Sequence, residues 1–193
     1  MLKSDHVDCY GQLKKYGNIL LQMNPGYLAV VRIDTLSFIP KCQRFFLSFN
    51  AQLTGFIRGY KPFIGLDSCH MKGPLGGVLL SAIGLDSDSG IFPIAVCMVE
   101  NECIDSWSWF RERLHEGLDV LDRTSTFMSD RQKGVLAAIK QQWPRADNRY
   151  CARHILANLT KECPGLKFGS YFGKPLIKQI DKTLWKLWRA SKQ

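Results

Sequence analysis

Three apolar runs follow one another between residues 62 and 100: "PFIGLDS", "GGVLLSAIGLD" and "GIFPIAVCMVE". A glycine-rich stretch and the turn "SDSG" separate them, so this region predicts three consecutive strands joined by hairpins. "PFIGLDS" is continuously apolar rather than alternating, which suits a strand buried on both faces. "DSDSG" at 86–90 begins like a calcium loop, but the EF-hand glycine would fall at Ile91 and the bidentate glutamate at Cys97. It reads as a hairpin turn.

After the hairpins the texture alternates. "SWSWFRERLHEGL" places Trp107, Phe110, Leu114 and Leu118 at helical spacing. "STFMS" is a further short buried strand, "DRQKGVLAAIKQQW" gives a helix over 131–142 ended by Pro144, and "NRYCARHILANLTKE" is a brief strand running into a helix. A final amphipathic helix covers 174–192. Ahead of the hairpins, residues 10–23 form a helix stopped by "NPG". Two strands follow, "YLAVVRID" and "CQRFFLSF", then a short helix with Asn50 as its N-cap. The expected division is a lead-in of helix and strands over 1–61, a core over 62–150 and a helical C-terminal part over 151–193. Three antiparallel strands followed by alternating helices and strands are the element order of an α/β, ribonuclease-H-like mixed sheet. In that sheet the first of these strands lies beside the fourth.

Two aspartates then gain interest. Asp67 closes the first buried strand and Asp130, 63 residues later, closes the fourth. If those strands are parallel neighbours, both carboxylates emerge at one sheet edge within reach of a shared cation. Hard divalent ions take a few carboxylates together with waters and phosphate oxygens, the arrangement phosphoryl transfer uses. Each residue also has a local reading: Asp130 as the cap of the helix over 131–142, and Asp67 as the opening of the turn into "GPLGG". Taken singly, the local readings prevail. Their shared position after buried strands is what favours a metal.

Composition narrows the partners. The longest apolar runs are about half of the ~20 residues needed to span a bilayer, so a membrane protein is not expected. No apolar segment or cleavage site opens the chain, which gives a reducing interior compartment as the expectation. The cysteines at 9, 42, 69, 97, 103, 151 and 163 show no paired C-x2-C spacing, so thiols are expected rather than a disulfide framework or a four-cysteine zinc site. The net charge of +9 suits a polyanionic partner. From Gly165 onward seven Lys and Arg face one acid, which concentrates the excess at one end.

The stretches "FIRGYKPFIGLDSCHMKGPLGGVLLSAIGLDSDSGIFPIAVCMVENECIDSWSWF", "FMSDRQKG" and "RYCARHILANL" together resemble the core of Mutator-like element (MULE) transposases. Their domesticated relatives in the far-red-impaired-response group of plant transcription regulators share the likeness. The resemblance implies a ribonuclease-H-like fold with a DDE triad in which Asp67 is the first carboxylate and Asp130 the second, both holding Mg²⁺ or Mn²⁺. It implies DNA, as transposon ends and target, for a partner, a nuclear location, and leaves room for a homo-oligomer. For the third carboxylate, Glu162 lies 32 residues after Asp130. The resembled family carries a helical insertion there with a C-x2-H motif, which puts the catalytic glutamate beyond Gln193. The implied reaction is metal-dependent cleavage and strand transfer; the alternative is a domesticated DNA-binding or regulatory protein without catalysis.

Cys151 and His154 match that C-x2-H motif and sit three apart, on one face of a helix. They supply half of a zinc site, whereas a structural site uses four ligands, so a buried thiol beside a hydrogen-bonded histidine is the preferred reading. His70 and Lys72, close to Asp67, read either as groups that position phosphate or water, or as polar turn residues. Lysines 174, 178, 182 and 186 form one stripe, readable equally as a solvated face and as a DNA-backbone contact.

Overall fold

The computed structural model describes residues 12–26, 28–34, 41–59, 61–73, 76–85, 88, 90–118 and 125–162. The expected helix over 174–192, its tryptophans and lysine stripe, Cys163 and most of the turn at 86–90 lie outside the described residues. The chain divides into two compact units, Met1–Arg149 and Tyr150–Gln193.

The elements run in order α1 (Leu13–Met23), β1 (Leu28–Asp34), β2 (Lys41–Ser48), α2 (Asn50–Gly59), β3 (Phe63–His70), β4 (Val78–Leu85), β5 (Ile91–Val99), α3 (Ile104–Leu118), β6 (Thr126–Ser129), α4 (Lys133–Gln142), β7 (Asp147–Tyr150) and α5 (Ala152–Glu162). The strands form one mixed sheet in the order β1-β2-β5-β4-β3-β6-β7. As the apolar runs predicted, β3, β4 and β5 are an antiparallel meander, and β6 lies parallel beside β3. The short β1 and β2 extend the sheet from the β5 edge.

Strand alternation sorts the side chains into two faces. Phe46, Ile64, Leu66, Leu80, Ala82, Cys97 and Phe127 are buried on the face covered by Leu53 and Phe56 of α2, Trp107, Phe110 and Leu114 of α3, and Val135, Ala138 and Ile139 of α4. The register between β4 and β5 slips at Ala82/Ile83, so Ile94 is the extra residue of a bulge. The bulge lets two consecutive residues, Ile94 and Ala95, enter the core. α1 lies against the other face, where Gly17 approaches Phe45, Val31 and Ala29.

The glycine-rich turn has a steric cause. Gly76 and Gly77 take φ of 63° and 96°, a left-handed backbone that Cβ disfavours. A Cβ on Gly77 would also meet Met71 Cε at 2.9 Å and the Val99 carbonyl oxygen at 3.0 Å. Gly77→Ala is therefore expected to destabilise the unit by about 1–3 kcal/mol, visible as a lower urea midpoint. A midpoint equal to the parent's would mean the turn can rebuild without strain.

Two expected caps are corrected. Asn50 is the first helical residue of α2 rather than its cap: the Phe49 carbonyl accepts from Gln52 and Leu53 N–H, and Gln52 Oε1 accepts from Phe49 N–H. This is half of a capping box, with the apolar Phe49 in the cap position. α4 is capped by Gln132, whose side chain accepts from Val135 N–H at 2.9 Å, and not by Asp130.

Candidate metal centre

β3 and β6 pair in parallel, with Phe63 opposite Thr126, Ile64 opposite Phe127 and Gly65 opposite Met128. Asp67 and Asp130 each stand two residues beyond the last of these pairs. Adjacent strands lie about 4.8 Å apart, and alternation along β3 puts Asp67 on the same face as Gly65. That face is opposite the one carrying Ile64, Leu66 and Phe127. Both aspartates are half-buried.

Their backbone settings differ. Asp67 does not end its strand: β3 runs three residues further to His70, held extended by pairing Asp67 with Ser81 and His70 with Val78 of β4. The strand-end expectation is true only on the β6 side, where the neighbour stops at Ser129. The Asp67 carboxylate accepts from Ser68 N–H at 2.9 Å. Asp130 stands immediately after β6, and its Oδ1 accepts from Gln132 N–H at 3.0 Å. This aspartate turn leads the chain from the strand into α4. The local reading of Asp130 is thus partly realised, one residue ahead of the cap, and a carboxylate can do this while its other oxygen serves a cation.

Ser81 was not legible as a neighbour of the site. The register of β3 with β4 places it directly opposite Asp67. Its hydroxyl donates to the Asp67 main-chain carbonyl at 3.3 Å. No sequence signal could show this, because the two residues meet only once the strands are paired.

The other sequence candidates are distributed. His70 is exposed and, by alternation along β3, lies on the face opposite Asp67. Lys72 is exposed in the turn beyond the strand. Cys151 and His154 belong to the second unit, half-buried, with Cys151 just ahead of α5 and its carbonyl accepting from Ile155 N–H at 3.0 Å. Among the described residues no group of three or more His, Cys, Asp and Glu is placed to hold a metal. Asp67 and Asp130 therefore offer two hard oxygen donors, a set that suits Mg²⁺ or Mn²⁺ completed by water and phosphate. Zinc is poorly matched by it, since zinc sites favour nitrogen and sulfur.

Among the described residues Cys42, Cys69, Cys97, Cys103 and Cys151 are free thiols. Burial pushes the Cys97 thiol up strongly and the Cys42 thiol up as well, so both stay protonated and unreactive at neutral pH. No helix among the described residues is long and apolar enough to cross a membrane.

Residues 63–158 match the MULE transposase domain. The chain is also similar to Protein FAR1-RELATED SEQUENCE 6 of Arabidopsis thaliana, 26% identical over 122 residues. That alignment covers 63% of this chain and 17% of the relative's length. The matched region begins at the first residue of β3 and takes in both Asp67 and Asp130, and this segment is a member of the MULE transposase domain family.

Proposed function

We propose that this chain carries a ribonuclease-H-like transposase core in which Asp67 and Asp130 hold a divalent metal, Mg²⁺ or Mn²⁺, for phosphoryl transfer on DNA. The observation that supports the reading is the parallel pairing of β3 with β6, whose last pair, Gly65 with Met128, stands two residues short of Asp67 on one strand and of Asp130 on the other. The strand order β5-β4-β3-β6-β7 within the sheet supports the fold assignment. A divalent ion there would supply charge stabilisation for the attacking and leaving oxygens of an in-line displacement. Asp67 and Asp130 bind and orient; β4, through Ser81 and the long β3 pairing, fixes Asp67 in place.

In the whole family enzyme the reaction is cleavage and strand transfer at transposon ends, with DNA as partner, a nuclear location and room for a homo-oligomer. Glu162, the last residue of α5, is not assigned the third carboxylate. A second reading is favoured by the want of a third ligand among the described residues. On it, the domain is a domesticated DNA-binding or regulatory module that keeps the fold without the chemistry.

Mn²⁺ titration of the parent beside Asp67→Asn tests the metal reading without requiring turnover. The parent should bind the ion and the variant should lose it; equal affinity in both removes Asp67 from any metal site. A Mg²⁺- or Mn²⁺-dependent strand-transfer assay on the same pair then separates transposase from domesticated module. Activity in the parent that Asp67→Asn abolishes supports the first reading, and metal binding without activity supports the second.

A further inference from the structure

We propose that Arg131 and Lys133 form a phosphate-binding rim beside the carboxylate pair, gripping the DNA backbone next to the reacting position. The proposal rests on the nucleic-acid reading given above. Its starting observation is a conflict with helix energetics. α4 has no acidic residue in its first turn; Lys133 is its first residue and Arg131 stands two residues earlier, just ahead of the Gln132 cap. Cations at a helix N-terminus oppose the positive end of the helix dipole, and stable helices place acids there instead. Both side chains are exposed, and among the described residues neither has a carboxylate within ion-pair distance. Exceptions to local rules concentrate at functional sites.

The position of the two cations gives the partner its chemistry. They follow Asp130 directly in the chain, and Asp130 and Asp67 put two negative charges just beyond the paired stretch of β6 and β3. A polyanionic strand approaching these charges is repelled by the carboxylates unless cations flank them, and Arg and Lys are the side chains that neutralise phosphates. The rim is also held in place. Gly134 packs so tightly that a Cβ there would meet the Cys103 carbonyl carbon and Trp107 Cδ1, both at 3.1 Å. The first turn of α4 is therefore pinned against the start of α3, with Asp130 tied to it through Gln132 N–H. Arg131 and Lys133 hang from a fixed backbone at a fixed remove from Asp130.

The test is the salt dependence of binding to a fluorescein-labelled 30-base-pair DNA duplex, followed by anisotropy in the absence of divalent metal. The double variant Arg131→Gln/Lys133→Gln should show a slope of log affinity against log salt shallower by about 1.8, from about 0.9 per phosphate contact. The matched control Lys14→Gln/Lys15→Gln removes the same charge from the exposed side of α1 and should leave the slope near the parent's. Arg131→Lys/Lys133→Arg should restore parental behaviour. An unchanged slope in the double variant, or an equal change in the control, overturns the rim. Thermal unfolding guards against misfolding: with two cations removed from a helix N-terminus, the double variant should melt no lower than the parent. Mn²⁺ titration of the same double variant keeps the two readings apart, because the rim can fail while metal uptake at Asp67 and Asp130 is intact. Conversely, metal uptake can be missing while the slope still changes.

Discussion

Arg44→Ala is expected to cost about 3–5 kcal/mol of stability, the range for truncating a large buried side chain to alanine. For a unit of this size that corresponds to a thermal midpoint lower by roughly 6–20 °C. Arg44 on β2 is only 1% exposed. Its Nε donates to Glu100 Oε2 at 2.9 Å, Nη2 bridges Glu100 Oε1 and Asp105 Oδ2, and Nη1 donates to the Asp105 carbonyl at 3.2 Å. The guanidinium also lies 5.9 Å from the centre of the Trp109 ring. One side chain thus ties β2 to the end of β5 and to the first turn of α3. Removing it leaves Glu100 without its partner and a large void at the sheet–helix junction. Asp105→Asn should cost far less, because the Asp105 side chain is 71% exposed. If Arg44→Ala melts within a few degrees of the parent, the junction is held by apolar packing alone.

The same network sets an acid limit. Burial works against ionisation of Glu100, but the hydrogen bonds from Arg44 prevail and hold its carboxyl below the ordinary value of 4.5. A carboxylate lowered in the folded state adds stability that is complete above its unfolded pKa and is lost as pH falls through the folded one. Thermal midpoints should therefore decline below about pH 4.5, and Glu100→Gln should flatten that decline. The hydrogen bonds to Glu100, together with Asp105, in turn keep the Arg44 guanidinium charged at any workable pH.

The second large effect separates two jobs of one residue. Asp130→Asn keeps an oxygen that can accept from Gln132 N–H, so the turn into α4 should survive with stability changed by no more than about 0.5 kcal/mol. Its Mn²⁺ affinity should nevertheless fall by about 100-fold or more, since loss of a ligand exceeds the effect of disturbing an outer partner. Asp130→Ala should lose the metal and also about 1 kcal/mol of stability, because Gln132 N–H then has no acceptor. Parental Mn²⁺ affinity in Asp130→Asn would reduce Asp130 to a turn residue and sink the metal proposal.

Much of the sheet could be read from residue order. The apolar runs at 63–70, 78–85 and 91–99 could bury themselves only as strands, and the connectors between them forced an antiparallel meander. Helical spacing of Trp107, Phe110 and Leu114 likewise determined α3 and its buried face. The caps were less legible. Asn50 and Asp130 are good capping residues by type, yet Phe49 and Gln132 occupy the positions because strand pairing decides where each helix can begin. Nor did the sequence mark Arg44 as structural: an arginine within "CQRFFLSF" looks like a solvated strand residue until β5 and α3 bring Glu100 and Asp105 to it.

By itself, then, the sequence determined the strands, the order of the elements and the presence of two aspartates near strand ends, all of which are local properties of spacing and side-chain type. Only the tertiary structure decided that β6 lies parallel beside β3, that Ser81 stands opposite Asp67, and that His70 faces away from it. The physical reason is that side chains on a sheet alternate with a period of two. A slip of one residue between β3 and β6 would leave every local feature of the sequence unchanged and turn the facing side chains of the two strands to opposite faces.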